Sequence, residues 1–113
     1  MKIEFIKAKL SDIEEMQRLV QPEVESGVIL VRSSDEIATN IRSYILAKNG
    51  DELVGFCALH IHAASLAEIR SLIVNESYRG QGIGANLISK AVDEARFFNI
   101  QKIRRYLRQI YSL

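Results

Sequence analysis

Arg79-Gly80-Gln81-Gly82-Ile83-Gly84 places an arginine ahead of three alternate glycines, directly after the strand-like run Ile69 to Val74 and before a long amphipathic segment. That arrangement predicts a pyrophosphate cradle. Without Cβ atoms at 80, 82 and 84 the backbone can approach an anion closely. The N–H groups of a first helical turn, with the helix dipole behind them, would hold its charge. Arg79 adds a full positive charge beside it. The spacing is not that of a dinucleotide fingerprint, whose third glycine stands three residues after the second, and no Gly-Lys-Ser/Thr follows to make a Walker loop.

Glu68 and Arg70, upstream in the same run, share strand parity and so should point to one face. A carboxylate beside a guanidinium suits an amine and a carboxylate, the two groups of an α-amino acid, with Arg70 binding the carboxylate bidentately. The alternative is a structural ion pair between neighbours. Ser71 should face the other way. His60 and His62, the only histidines, would share a side at a strand end; two ligands with no nearby third make no zinc site. An exposed or satisfied pair is expected, with His60 a minor alternative base and no metal. Cys57, the only cysteine, lies in the apolar run Val54 to Leu59 and reads as a buried structural thiol.

The elements that must position these groups are marked in the chain. Ile3 and Phe5 alternate with Lys2 and Glu4, predicting a first strand that ends near Ala8. Ser11-Asp12-Ile13-Glu14 reads as a capping box for a helix with Ile13, Met16, Leu19 and Val20 on one face, ending before Pro22. Ser33-Ser34-Asp35-Glu36 reads as a second box, opening a helix that carries Ile37 and Ile41. Asn49-Gly50 predicts a hairpin between Tyr44–Ala47 and Leu53–Leu59, since primed turns need positive φ. A loop around His62-Ala63-Ala64-Ser65 then leads into a strand from Leu66 to Val74. Ile83, Leu87, Ile88, Ala91, Val92 and Ala95 recur at helical spacing, as for a helix packed on a sheet. Gln21 to Arg32 is the one extended connection, either a substrate-facing loop or a surface crossing with an apolar anchor.

At 113 residues, with 48% apolar and 26% charged, the chain is expected to form one domain, 1–113. A net charge of +1 gives no field to draw in nucleic acid. No apolar run approaches a membrane span and no signal-peptide core is present, so a cytoplasmic protein is expected, without nucleic-acid or membrane partners.

The glycine loop resembles the acetyl-coenzyme A motif of the GNAT acetyltransferase superfamily, usually written Gln/Arg-x-x-Gly-x-Gly/Ala. Leu72-Ile73-Val74-Asn75-Glu76-Ser77-Tyr78 is similar to that family's fourth strand and the short loop after it. The resemblance runs through roughly residues 1 to 100. It implies an α/β fold with a mixed, mainly antiparallel sheet flanked by helices, and acetyl-CoA as cosubstrate. Main-chain groups of Leu72, Ile73 and Val74 would line the pantetheine arm, and Arg79, Gly80, Gln81, Gly82, Ile83, Gly84 and Ala85 would hold the pyrophosphate. Glu68 matches a strand glutamate that several such enzymes use as general base, often through water. Further likeness in 27–33, Ala58-Leu59-His60 and 66–72 points to amino-acid acetyltransferases of the N-acetylglutamate synthase type. Arg32 and Arg70 are then the ligands of the acceptor's carboxylate.

Members of that family continue past the third major helix into a fifth strand, a helix and a last strand. Here the basic stretch Gln101 to Ile110 carries Ile103, Leu107 and Ile110 at helical spacing, so it reads as a helix at least as well as a strand. A domain lacking the usual C-terminal strands is expected, by truncation or frameshift. Its fourth strand would keep an exposed edge, which a homodimer would cover. Tyr106 does not match the family's late tyrosine acid. The function expected is N-acetylation of a primary amine, most simply the α-amine of an amino acid such as glutamate. The alternatives are a non-catalytic coenzyme A-binding protein and a protein N-terminal acetyltransferase.

Overall fold

The computed structural model describes residues 2–27 and 32–105. Its elements are β1 (Ile3–Lys7), α1 (Ile13–Glu25), α2 (Ser34–Thr39), β2 (Tyr44–Asn49), β3 (Glu52–Ala63), β4 (Leu66–Val74), α3 (Ile83–Phe97) and β5 (Lys102–Arg105). The strands form one sheet in the order β1-β2-β3-β4-β5, antiparallel throughout except for the parallel pair β4–β5. Met16 of α1 and Ile37 of α2 pack with Tyr44, Leu46, Phe56, Ala58 and Ile73 on one face of the sheet. Leu87, Ala91 and Ala95 of α3 pack with Ile45, Cys57, Leu59 and Ile69 on the other. The sheet is therefore buried on both faces, which is why β2 and the middle of β3 are continuously apolar rather than alternating.

Three helix and strand boundaries depart from expectation. α1 runs past Pro22 to Glu25. Proline forfeits its own N–H bond and crowds the Arg18 carbonyl one turn back, yet its carbonyl still accepts from Ser26 N–H at 3.1 Å, and the helix continues. The Asp12 carboxylate, not Ser11, closes the start of this region by accepting from Lys9 N–H at 2.8 Å. α2 is a single short helix held by the expected box, with Ser33 Oγ accepting from Glu36 N–H and Glu36 Oε1 accepting from Ser33 N–H. Ile41 falls beyond it, in a separate 3₁₀ turn.

The hairpin at Asn49-Gly50 forms as predicted, with Gly50 at φ +62°. β3 is longer than expected and carries both histidines, leaving only Ala64 and Ser65 in the turn to β4. Residues Lys102–Arg105 of the ambiguous C-terminal stretch are a strand, beside Leu66–Ile69. The remainder of that stretch, with Tyr106, Leu107 and Ile110, lies outside the described residues, as do Val28 to Val31 of the α1–α2 connection. β5 covers only the first half of β4. From Arg70 onward that edge has no partner strand among the described residues.

β4 contains a bulge. Ala58 pairs with Arg70 and Phe56 with Ile73, so two residues of β4, Ser71 and Leu72, oppose the single Cys57. Ser71 takes φ +58° there. The extra residue exchanges parity: Ala67 and Ile69 before the bulge, and Leu72 and Val74 after it, pack in the same α3-side cluster. The α3 layer thus continues down β4 while Glu68 and Arg70, of opposite parity to Ala67 and Ile69, keep to the other side. Gly55 of β3 lies close by, and a Cβ there would stand 2.8 Å from the Ile73 carbonyl oxygen. Glycine is what permits that approach.

Candidate functional site

The glycine loop sits between the end of β4 and the start of α3. Gly80 and Gly82 have φ of +80° and +82°, and a Cβ built on either would meet nothing within 4 Å. The left-handed conformation, rather than crowding, requires glycine at both positions. Gly82 is the residue before α3, and the helical ladder begins with Asn86 N–H to the Gly82 carbonyl at 3.0 Å. The N–H groups of Ile83, Gly84 and Ala85 precede that first bond and have no carbonyl to meet within the helix. Open space, free donors and the positive end of a 15-residue helix fit the phosphates of a coenzyme A.

Two side chains fix this loop. The Tyr78 hydroxyl donates to Glu52 Oε1 at 2.8 Å and accepts from Asn49 Nδ2 at 3.1 Å, tying the loop to the β2–β3 turn. The Arg79 guanidinium donates to Glu23 Oε1 at 2.8 Å and to the Val74 carbonyl at 3.0 Å. Arg79, expected to add charge for the anion, therefore spends it on Glu23, a buried carboxylate of α1. What it fixes is the path of the backbone from β4 into the loop. Glu23 gave no such signal as one of several glutamates near Pro22; only the extra turn of α1 brings it into reach. Glu23→Ala is expected to cost about 1–3 kcal/mol of stability, because the Arg79 guanidinium is left half-buried without its partner. A denaturant titration reads the loss, and an unchanged midpoint would show the pair to be idle.

On the opposite, α1–α2 side, Glu68 stands at the centre of a charged group. Its Oε1 lies 3.1 Å from His62 Nε2 and 3.7 Å from Arg70 Nε. The hydrogen bond from His62 holds the Glu68 carboxyl below its ordinary value of 4.5, against partial burial, with Arg70 and Arg104 adding to the effect. Glu68 is thus a charged carboxylate through neutral pH. His60, its cross-strand partner, is lowered as well, by burial and then by Arg70, Arg32 and His62, which for an imidazole favours the neutral form. Burial raises the Tyr44 phenol, while Arg32 and, more weakly, Arg70 pull it back. Both arginines therefore act on the same two groups, His60 and Tyr44.

Cys57 takes no part. Burial pushes its thiol up to about 12, and its Sγ faces the Leu87 carbonyl at 3.7 Å. No thiolate forms near neutral pH, and the buried structural thiol expected from the apolar run is what the fold contains. Among the described residues no group of three or more His, Cys, Asp or Glu side chains is placed to hold a metal ion. None of their helices is long and apolar enough to cross a membrane.

A five-stranded mixed sheet whose fourth strand leads through a glycine turn into a long helix has counterparts among known proteins. Residues 10–109 match the Acetyltransferase (GNAT) family. The chain belongs to that family. This GNAT chain is 37% identical over 84 residues to an uncharacterized N-acetyltransferase of Chlorobaculum tepidum, a match covering 74% of this chain and 54% of the relative. It is 29% identical over 98 residues to an amino-acid acetyltransferase of Neisseria meningitidis, covering 86% of this chain and 22% of that protein. In three dimensions it is similar to N-acetylglutamate synthase from Neisseria gonorrhoeae complexed with coenzyme A and N-acetyl-glutamate. There the TM-score is 0.81 at 27% identity, over 88% of this chain and 24% of that one. The GNAT chain thus spans about half the length of the first relative and about a quarter of the other two.

Proposed function

We propose that this GNAT domain transfers the acetyl group of acetyl-coenzyme A to the α-amine of an amino acid such as glutamate. The observation that carries the amino-acid reading is Glu68 beside Arg70 on one face, with Arg32 acting on the same neighbours. The likeness to proteins named amino-acid acetyltransferase supports it. Acetyl-coenzyme A supplies an activated thioester carbonyl and a thiolate leaving group. The main-chain N–H groups of Ile83, Gly84 and Ala85, with Gly80, Gln81 and Gly82 shaping the turn, bind the pyrophosphate. The edge of β4 at Leu72, Ile73 and Val74, which has no partner strand among the described residues, holds the pantetheine arm by its backbone groups.

Arg32 and Arg70 bind the acceptor's carboxylate, which sets its ammonium toward Glu68. The carboxylate of Glu68 then removes the amine proton, directly or through one water, and the freed lone pair attacks the carbonyl. Excluding a competing ion pair matters here: Arg70 spends part of its charge on Glu68, so the acceptor's carboxylate must share it.

Acetyl-coenzyme A consumption, followed by thiol release, with a panel of free amino acids and a panel of peptides tests the reading. Turnover with free amino acids, glutamate foremost, is expected. Turnover with peptides alone would instead make it a protein N-terminal acetyltransferase, and tight coenzyme A binding without turnover on either panel would make it a non-catalytic binder.

The same reading sets the protein in the cytoplasm, where its cosubstrate is made, and gives the half of the β4 edge without a partner strand among the described residues to a second copy when no ligand occupies it. Sedimentation over a concentration series is expected to show a dimer, and a monomer at the highest concentration would remove that part of the proposal.

A further inference from the structure

We infer that His62 is a positioning residue for the acetyl transfer, its Nε2–H fixing the Glu68 carboxylate from the bulged end of β3. Ile61 pairs with Ala67 and Ala63 with Leu66, so His62 is the extra residue of β3 at this bulge, with no counterpart on β4. Bulged residues are re-aimed relative to a regular ladder. In a regular ladder His62 would stand opposite Leu66; here its ring reaches Glu68, at 3.1 Å.

The sense of that hydrogen bond follows from Glu68. An ionised carboxylate only accepts, so Nε2 must carry the hydrogen. The neutral imidazole is then the Nε2–H tautomer, and its Nδ1 is left as an acceptor on a side chain 41% exposed, whereas the Glu68 side chain is only 15% exposed. A shielded carboxylate is thus held by a ring that reaches solvent. The other charged or titratable groups facing Glu68 are Arg70 on its own strand, Arg104 across from it on β5, and His60 across from it on β3. The Arg70 Nε does not replace the ring, because it stands 3.7 Å from Glu68 Oε1, beyond hydrogen-bond distance.

The inference rests on Glu68 being the base proposed above. His62 stabilises the charged form of that carboxylate, so its removal must raise the Glu68 pKa and move the acid limb of kcat/KM to higher pH.

The test is the pH profile of kcat/KM for wild type, His62→Ala, His62→Gln and Glu68→Gln, with acetyl-coenzyme A affinity and melting temperature measured alongside. His62→Ala is expected to move the acid limb upward and lower kcat roughly tenfold, without weakening acetyl-coenzyme A binding. His62→Gln, whose amide can still donate, is expected to restore the wild-type limb. An unmoved limb in His62→Ala, while Glu68→Gln is inactive, overturns the role of His62 and leaves the base in place. Failure of His62→Gln to differ from His62→Ala overturns it likewise. Wild-type turnover in Glu68→Gln overturns the base reading and this inference with it.

Discussion

Glu68→Gln is expected to lower kcat by roughly 10²- to 10⁴-fold, the usual worth of a positioned base, while leaving acetyl-coenzyme A affinity unchanged. The split follows from the geometry. Glu68 lies on the α1–α2 face of β4, paired with His62 and Arg70, whereas the glycine loop begins beyond the far end of the same strand. Glutamine keeps the size of the side chain and can still accept from His62 Nε2–H, so the local structure should survive. What it loses is the charge that takes the proton. Because that carboxyl is held below 4.5, wild-type activity should persist undiminished by Glu68 protonation down through mildly acid pH. It should fail only as pH drops through the lowered value. Steady-state kinetics with acetyl-coenzyme A binding measured by calorimetry checks both halves. A parallel loss of cofactor affinity would mean that the substitution acts through the fold and not through the proton.

The second large effect is expected at Gly82. With φ at +82°, any side chain there adopts the left-handed region at a cost of about 1–2 kcal/mol. Tryptophan would in addition fill the space in front of the first helical N–H groups. Losing two charge-assisted hydrogen bonds to phosphate corresponds to at least roughly 100-fold in acetyl-coenzyme A affinity. Gly50 provides the control, since it too has positive φ with nothing within 4 Å, but lies in the β2–β3 turn. Gly50→Trp and Gly82→Trp should destabilise to a similar degree. Only the second should lose ligand-induced stabilisation. Equal ligand responses from the two variants would place the cofactor elsewhere.

The parts of this fold that were legible in the sequence are those written in local chemistry. Asn49-Gly50 demanded a primed turn, Ser33 and Glu36 capped each other, and the apolar spacing of Ile83 to Ala95 marked α3. The glycine loop was legible because positive φ leaves few residue choices. The site's finer geometry was not, because it depends on two bulges and one long-range ion pair. The bulge at Ser71 did leave a trace: apolar residues on the α3 side change from odd numbers, Ala67 and Ile69, to even ones, Leu72 and Val74. Strict period-two reading passes over such a change. His62 gave no comparable sign, since its reach to Glu68 comes from an unpaired position in β3 that only the register reveals. Arg79 was legible only in part. Its charge stood out, but its partner Glu23 is 56 residues away, and the ion pair, which braces the loop, left no sign in the local sequence.

The most direct test of the central claim is the melting temperature of the wild-type chain with and without acetyl-coenzyme A. A ligand bound only by the folded state stabilises it by about 2.7 kcal/mol at 100 times its dissociation constant, which for a domain of this size is a rise of roughly 10 °C or more. That rise, absent in Gly82→Trp and retained in Glu68→Gln, is the result the glycine loop and the separate base predict. No rise at millimolar acetyl-coenzyme A would contradict the account at its root, because the donors at the start of α3 would then hold no cofactor for Glu68 to serve.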